Sequence, residues 1–210
     1  MRICLITPEL APYRYGGIGR YVYSLATGLS GHGHEVVVAG YQLHPERTVE
    51  HAWGRSVSVT WDGRFLWRLS KVGDLLAASL ALRKWWKNAG DGFDIIEAPN
   101  WGAQAFLLPS LRCPLVVRLS TPHADTLTCP ATYQDRLING AEAILSRRAD
   151  LVIANSRSMA DKAAMRYGVC EPRTIIPHGI EPGDFPEVAS NSTIDLVFID
   201  RIEGEGRGRV

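Results

Sequence analysis

The chain has 210 residues, 46% of them apolar and 21% charged. That composition can bury a core and suits one large domain, or one domain and the start of another. Lys and Arg number 23 against 22 Asp and Glu, a net charge of +1 that argues against a general nucleic-acid binder. No stretch approaches the roughly 18 uninterrupted apolar residues of a membrane span, and the run in the opening MRICLIT is too short for a signal peptide.

Short β-branched runs alternate with helical patterns. Ile3–Ile6 reads as a first strand, and Ile18, Tyr21, Val22, Leu25, Ala26 and Leu29 then form one apolar stripe at helical spacing, ended by Gly31 and Gly33. Glu35–Ala39 and Val57–Trp61 read as the second and third strands. Leu66–Lys87 is helical. Within 64–87, Trp67, Trp85 and Trp86 mix with Arg68, Lys71, Arg83, Lys84 and Lys87. The preferred reading is a surface helix packed on a sheet, and the alternative is an interfacial helix giving peripheral membrane contact at the inner face. Asp94–Ala98 is a fourth strand, 103–108 a short helix, Leu115–Leu119 a fifth strand and Tyr133–Arg148 a helix. Leu151–Ala154, a helix over Ser158–Tyr167, and a seventh strand over Thr174–Ile176 follow.

Continuously apolar strands are buried on both faces, and helices between them make the sheet parallel. The expected fold class is therefore α/β, a Rossmann-like doubly wound parallel sheet that binds ligands beyond the C-terminal ends of its strands. The expected organisation is a domain over 1–180, a Pro-containing polar linker over 181–193, and the beginning of a second, truncated domain over 194–210, where Ile194–Ile199 looks like a fresh strand.

Gly16, Gly17 and Gly19 follow the first strand and open the first helix, an arrangement that lets backbone approach an anion at a helix N-terminus. G-G-x-G is not G-x-G-x-x-G, and the second strand runs out through Ala39-Gly40-Tyr41 with no carboxylate for a ribose. NAD(P) binding by an oxidoreductase is disfavoured on both counts. Cys4, Cys113, Cys129 and Cys170 form no C-x-x-C pair and no zinc-type cluster. Scattered thiols fit a reducing cytoplasm, and no metal cofactor is expected. Asn191-Ser192-Thr193 spells a glycosylation acceptor, with nothing else to suggest secretion.

The stretches PYRYGGIGRYVYSLATGLSGHGHEVVVAG, DIIEAPNWGA, RLSTPHAD, ADLVIANSRSMADKAAMRYGV and TIIPHGIEPGDF occur in order, each tied to an expected strand. Together they resemble the N-terminal half of a family 4 glycosyltransferase of the GT-B fold. The resemblance implies a retaining enzyme that moves a sugar from a nucleotide-diphosphate sugar to an acceptor, without a metal. In such enzymes the N-terminal domain chiefly binds the acceptor and the C-terminal domain grips the donor. It further implies that Gly16 and Gly17 face the donor phosphates and that His123 orients the donor sugar. Glu97, Asn100 and Trp101 line the acceptor cleft, and Arg14 and Tyr15 reach the acceptor. Asn155 and Ser156 match an A-N-S element, with an N-cap as the plainer reading of Ser156. His178 and Gly179 match an exit turn. In FIDRIEGEGRGRV, Arg201 matches the family's phosphate-binding arginine, but Asp200 stands where glycine is usual and Gly206 where a lysine is. The expected partners are a nucleotide sugar, a sugar acceptor and a C-terminal donor domain in cis or trans, with the chain inactive alone. A non-catalytic glycan- or protein-binding module is the competing reading.

Overall fold

The apolar runs lie side by side in one eight-stranded sheet of order β3-β4-β2-β1-β5-β6-β7-β8. The strands are β1 Arg2–Ile6, β2 Glu35–Tyr41, β3 Arg47–His51, β4 Gly54–Val59, β5 Ile95–Pro99, β6 Leu115–Leu119, β7 Leu151–Ala154 and β8 Thr174–Ile175. The helices are α1 Gly17–Gly31, α2 Ser70–Ala89, α3 Tyr133–Arg147 and α4 Arg157–Tyr167, and a 3-10 turn covers His123–Thr126. This computed structural model describes residues 1–10, 16–42, 46–61, 70–89, 92–109, 112–127, 130–169 and 174–179. Met1–Gly179 forms one compact unit and Ile180–Val210 a second. The expected linker and the strand at Ile194–Ile199 lie outside the described residues.

Every pairing is parallel except β3 with β4. Side chains alternate across the sheet. Leu5, Val36 and Val38 pack with Val22 and Ala26 of α1 on one face. Cys4, Ile6, Val37 and Ala39 pack on the other with Leu82 and Trp86 of α2, Leu145 of α3 and Ala160 of α4. The chain steps outward from β1 through β2 to β4, and α2 then carries it back to the other side of β1. The winding reverses between β1 and β5, and a crevice opens there at the C-terminal ends of the strands.

Three details differ from the sequence reading. β3 was not expected: its RTVEH is too polar to read as a buried strand, and it is a mostly exposed edge paired antiparallel through a tight hairpin. That hairpin moves the third expected strand back to Gly54–Val59 and leaves Trp61 outside it. Residues 103–108 are successive turns rather than a helix. They are closed by bonds from the Ala103, Phe106 and Leu108 N–H groups to carbonyls three residues back, and Ala103 has φ 41°. In α2, Trp86 is 6% exposed and stacks on Phe93 at 5.5 Å, with Trp85 packed against the same core. These two tryptophans face the sheet, as a surface helix requires. Arg64, Trp67 and Arg68 lie outside the described residues. No described helix is long and apolar enough to cross a membrane.

Gly54 starts β4 at φ +135°, and a Cβ there would run into the Val36 carbonyl oxygen. Gly54→Ala is expected to cost about 2 kcal/mol or more, by strain and contact together. Gly28→Ala, at an exposed α1 position with open space around it, should instead gain about 0.5–1 kcal/mol from helix propensity. Urea unfolding midpoints of the two variants check the contrast.

Candidate active site

The register decides which side chains meet at the crevice. Leu5 of β1 stands beside Glu97 of β5, and Pro99 stands beside Arg118 of β6, so Glu97 and Arg118 project to the face that carries α1. Arg118 Nε donates to Glu97 Oε1 at 3.0 Å, and the Tyr21 hydroxyl of α1 donates to the same oxygen at 2.8 Å. The guanidinium lies 4.3 Å over the Tyr21 ring, whose stacking partner His178 is 4.8 Å away. A second Arg118 nitrogen donates to the Ile176 carbonyl at 3.2 Å. Arg118 is 6% exposed, so this ion pair stands largely out of water. A charge so placed is tolerated because it is both paired and hydrogen-bonded.

Around the pair is a cavity lined by Leu5, Ile6, Ile18, Val22, Pro99 and Ser120 in addition to the four polar and aromatic residues. Burial, and then the Glu97 carboxylate, push the Tyr21 phenol well above its usual range, so it remains a proton donor. Burial, and then the Arg118 charge, hold His178 below the ordinary histidine value of 6.5, so its ring is neutral at pH 7. Both bonds to Glu97 fall on Oε1, leaving Oε2 without a partner among the described residues.

At the glycine-rich loop the chain supplies its own anion. Glu9 Oε2 accepts from the Gly19 N–H at 2.7 Å, in the first turn of α1. Gly16, the N-cap, has an extended backbone at φ −151° that any residue adopts. A Cβ there would meet the Glu9 carboxylate, and one at Gly19 would come within 2.9 Å of the Glu9 carbonyl. Gly16 and Gly19 are thus small so that Glu9 can reach the helix N-terminus. Gly17 has open space and no such constraint. Arg14, Tyr15 and Arg201 lie outside the described residues.

The other singled-out residues sit on the loops after β5, β6 and β7. Asn100 is fully buried: Oδ1 accepts from Ser120 N–H at 2.6 Å and from the Ser120 hydroxyl at 3.1 Å, while Nδ2 donates to the Tyr167 hydroxyl at 3.2 Å. It joins two loops from beneath and does not line the cavity. Trp101 is half-exposed in the following turn. His123 does not line the cavity either; its Nε2 lies 2.8 Å from Asp135 Oδ1, which also takes Lys71 Nζ at 3.1 Å. Asp135 closes a capping box with Thr132 at the start of α3. The Thr132 hydroxyl, then His123, hold its carboxyl well below the usual range, so it is ionised at neutral pH. Ser156 is the N-cap of α4, accepting from Met159 N–H at 3.2 Å, and Asn155 is half-buried before it.

The structure therefore gathers Glu97 with three residues not chosen for the cleft from sequence, Tyr21, Arg118 and His178. His178 had been assigned to a turn. The usable signal for Arg118 was an arginine inside the otherwise apolar LVVRL. For Tyr21 there was none, because its spacing also fits the core stripe.

A doubly wound Rossmann-like domain with its crevice at the β1–β5 reversal is one half of the GT-B glycosyltransferase architecture. The chain belongs to Glycosyltransferase Family 4, whose family model matches residues 15–184. It is 25% identical over 228 aligned positions to the glycogen synthase of Mycobacterium tuberculosis, covering 98% of this chain and 55% of the relative. The chain thus spans about half the length of the curated relatives it matches. Among solved structures it is similar to sucrose-phosphate synthase of Thermosynechococcus elongatus, with TM-score 0.59, 17% identity, 83% of this chain covered and 47% of the other. It is also similar to the E. coli trehalose-6-phosphate protein bound with UDP-2-fluoro glucose, with TM-score 0.54, 15% identity and coverages of 88% and 50%. At these identities the two structures speak for the fold.

Two sets of variants test the geometry. Gly16→Ala should cost about 1 kcal/mol by displacing the Glu9 carboxylate from the Gly19 N–H, and the double variant with Glu9→Ala should cost clearly less than the sum of the single changes, since they share one contact. Arg118→Met should cost about 2–4 kcal/mol because it strands a largely buried carboxylate, and adding Glu97→Gln should recover much of that loss. Chemical denaturation with a complete double-mutant cycle reads both sets, and additive costs in either would contradict the contacts described.

Proposed function

We propose that this chain is the acceptor-side half of a retaining transferase that moves a sugar from a nucleotide-diphosphate sugar to a glycan, lipid or small-molecule acceptor. The observation that carries the reading is the cavity at the winding reversal, whose wall presents a partly buried, pre-oriented carboxylate. With Oε1 of Glu97 held by Arg118 and Tyr21, Oε2 is the atom that accepts from an acceptor hydroxyl, and the aliphatic wall suits a sugar face or an aglycone. Trp101, Arg14 and Tyr15 extend this acceptor side. Asn100 serves it indirectly, by holding Ser120 in the cavity wall.

His123 orients the donor sugar in this reading. Asp135 fixes its ring through Nε2 and leaves Nδ1 for a ligand. The leaving phosphate helps to take the acceptor proton in this reading. Gly17, with its open backbone, and Arg201 meet the donor phosphates, and Gly16 leaves room for the Glu9 carboxylate at the Gly19 N–H. The reading pairs this half with a donor-gripping domain, in cis or trans, because a cleft with one wall neither excludes water nor fixes the donor. The free thiols of Cys4 and Cys113 suit a cytoplasmic setting.

Titration calorimetry of the 210-residue chain against an oligosaccharide and a hexose phosphate tests the acceptor assignment. At least one should bind, and Glu97→Gln should weaken it about tenfold, the worth of one hydrogen bond to a charged group. No binding by either, or equal binding by the variant, would overturn the acceptor site. Transfer from a nucleotide sugar by this chain alone would overturn the division of labour.

A further inference from the structure

One buried charge is not used by the reading above. Glu142 of α3 is 0% exposed. Its Oε1 accepts from the Gly102 N–H at 3.3 Å, in the turn after β5. Its Oε2 accepts from the His123 N–H at 3.2 Å, on the loop after β6, and from the Tyr167 hydroxyl of α4 at 2.6 Å. Asn100 donates to that same hydroxyl, so the phenol proton is directed to the carboxylate. The direction of every donor identifies Glu142 as an acceptor at all its contacts, as the ionised form is. Burial opposes this charge and raises the carboxyl above its ordinary value, while the Tyr167 hydroxyl and the two backbone N–H groups pull the other way.

We infer that Glu142 couples the β5 and β6 loops as a positioning residue. One carboxylate, one oxygen to each loop, makes the backbone beside Trp101 and the backbone of His123 move as a unit. The group is rigid and its two oxygens are fixed relative to each other, so a displacement of Gly102 reaches His123 without a relay through solvent. The same helix holds the His123 ring through Asp135, one side chain for the backbone and another for the imidazole. Asp125, two residues on, pairs with Lys162 of α4 at 3.2 Å and with Arg166. The loop is thereby tied to α4 at its surface, while Glu142 ties it to β5 from within. This inference rests on geometry and stands whether or not the transferase reading holds.

The test perturbs one loop and reads the other. Gly102 has φ +71° with open space around it, so Gly102→Ala strains that turn without a clash. Amide exchange and chemical shifts are measured by NMR on the 210-residue chain. With Glu142 intact, Gly102→Ala should speed exchange of the His123 amide about tenfold and shift its resonance, with the Val37 and Val117 amides in the sheet unchanged. In the Glu142→Gln background, where one oxygen becomes a donor facing donors, the same change should leave His123 where that background put it. Should Glu142→Gln not fold, Tyr167→Phe serves in its place: it removes one donor to Oε2 and should reduce the transmitted shift. A His123 amide indifferent to Gly102→Ala, or equally responsive in every background, would overturn the coupling. So would a uniform rise in exchange across the sheet, which marks global loosening.

Discussion

A parallel sheet whose winding reverses cannot close over the reversal, and most of this protein's chemistry follows from that constraint. The two strands flanking the gap, β1 and β5, send their chains to opposite sides, so no connection crosses the strand ends between them. What fills the gap must come from side chains. Register supplies Glu97 and, diagonally, Arg118; α1 supplies Tyr21; the turn after β8 supplies His178. The charges would be unstable separately in so dry a place. Their pairing, and the ring stacked on the guanidinium, keep them there.

Much of this was legible beforehand because the core strands are strongly apolar. CLI, VVVA and LVIA leave little doubt about buried parallel strands, and the helix stripes between them fix the order of alternation. What escaped was whatever depended on a partner distant in sequence. β3 carries a polar edge pattern and is a strand only because β4 pairs with it. The turns over 103–108 have helix-friendly residues, yet Ala103 takes a positive φ and the chain never completes an α-turn. Site residues divide in the same way. Glu97 stood out at a strand end, whereas Tyr21 and Glu142 sit in helices, where nothing local separates a functional contact from packing.

The glycine-rich loop carries a subtler lesson. Three glycines at the start of a helix are commonly taken as a cradle for an external anion. Two of these three are explained by Glu9, seven and ten residues earlier in the same chain, which leaves Gly17 as the position with open space. Small residues at a helix N-terminus thus record a close approach without saying whose atoms approach. Only the coordinates of Glu9 separate the two cases.

The polar hairpin at one margin of the sheet bears on how copies of this protein behave in a crowded solution. Unpaired strand margins invite other chains to add on. At the β3 margin that invitation meets Arg47 and Glu50, exposed and charged, on a strand bent through a tight turn. The opposite margin is β8, two residues long, which offers too short a ladder to hold an incoming strand. Between them lie six strands rich in valine, isoleucine and leucine, the composition that aggregates most readily when bared. The charged β3 and the short β8 at the two margins are therefore the sheet's guard against self-templating, and charge-neutral replacements at Arg47 and Glu50 would change colloidal behaviour while leaving the distant crevice untouched.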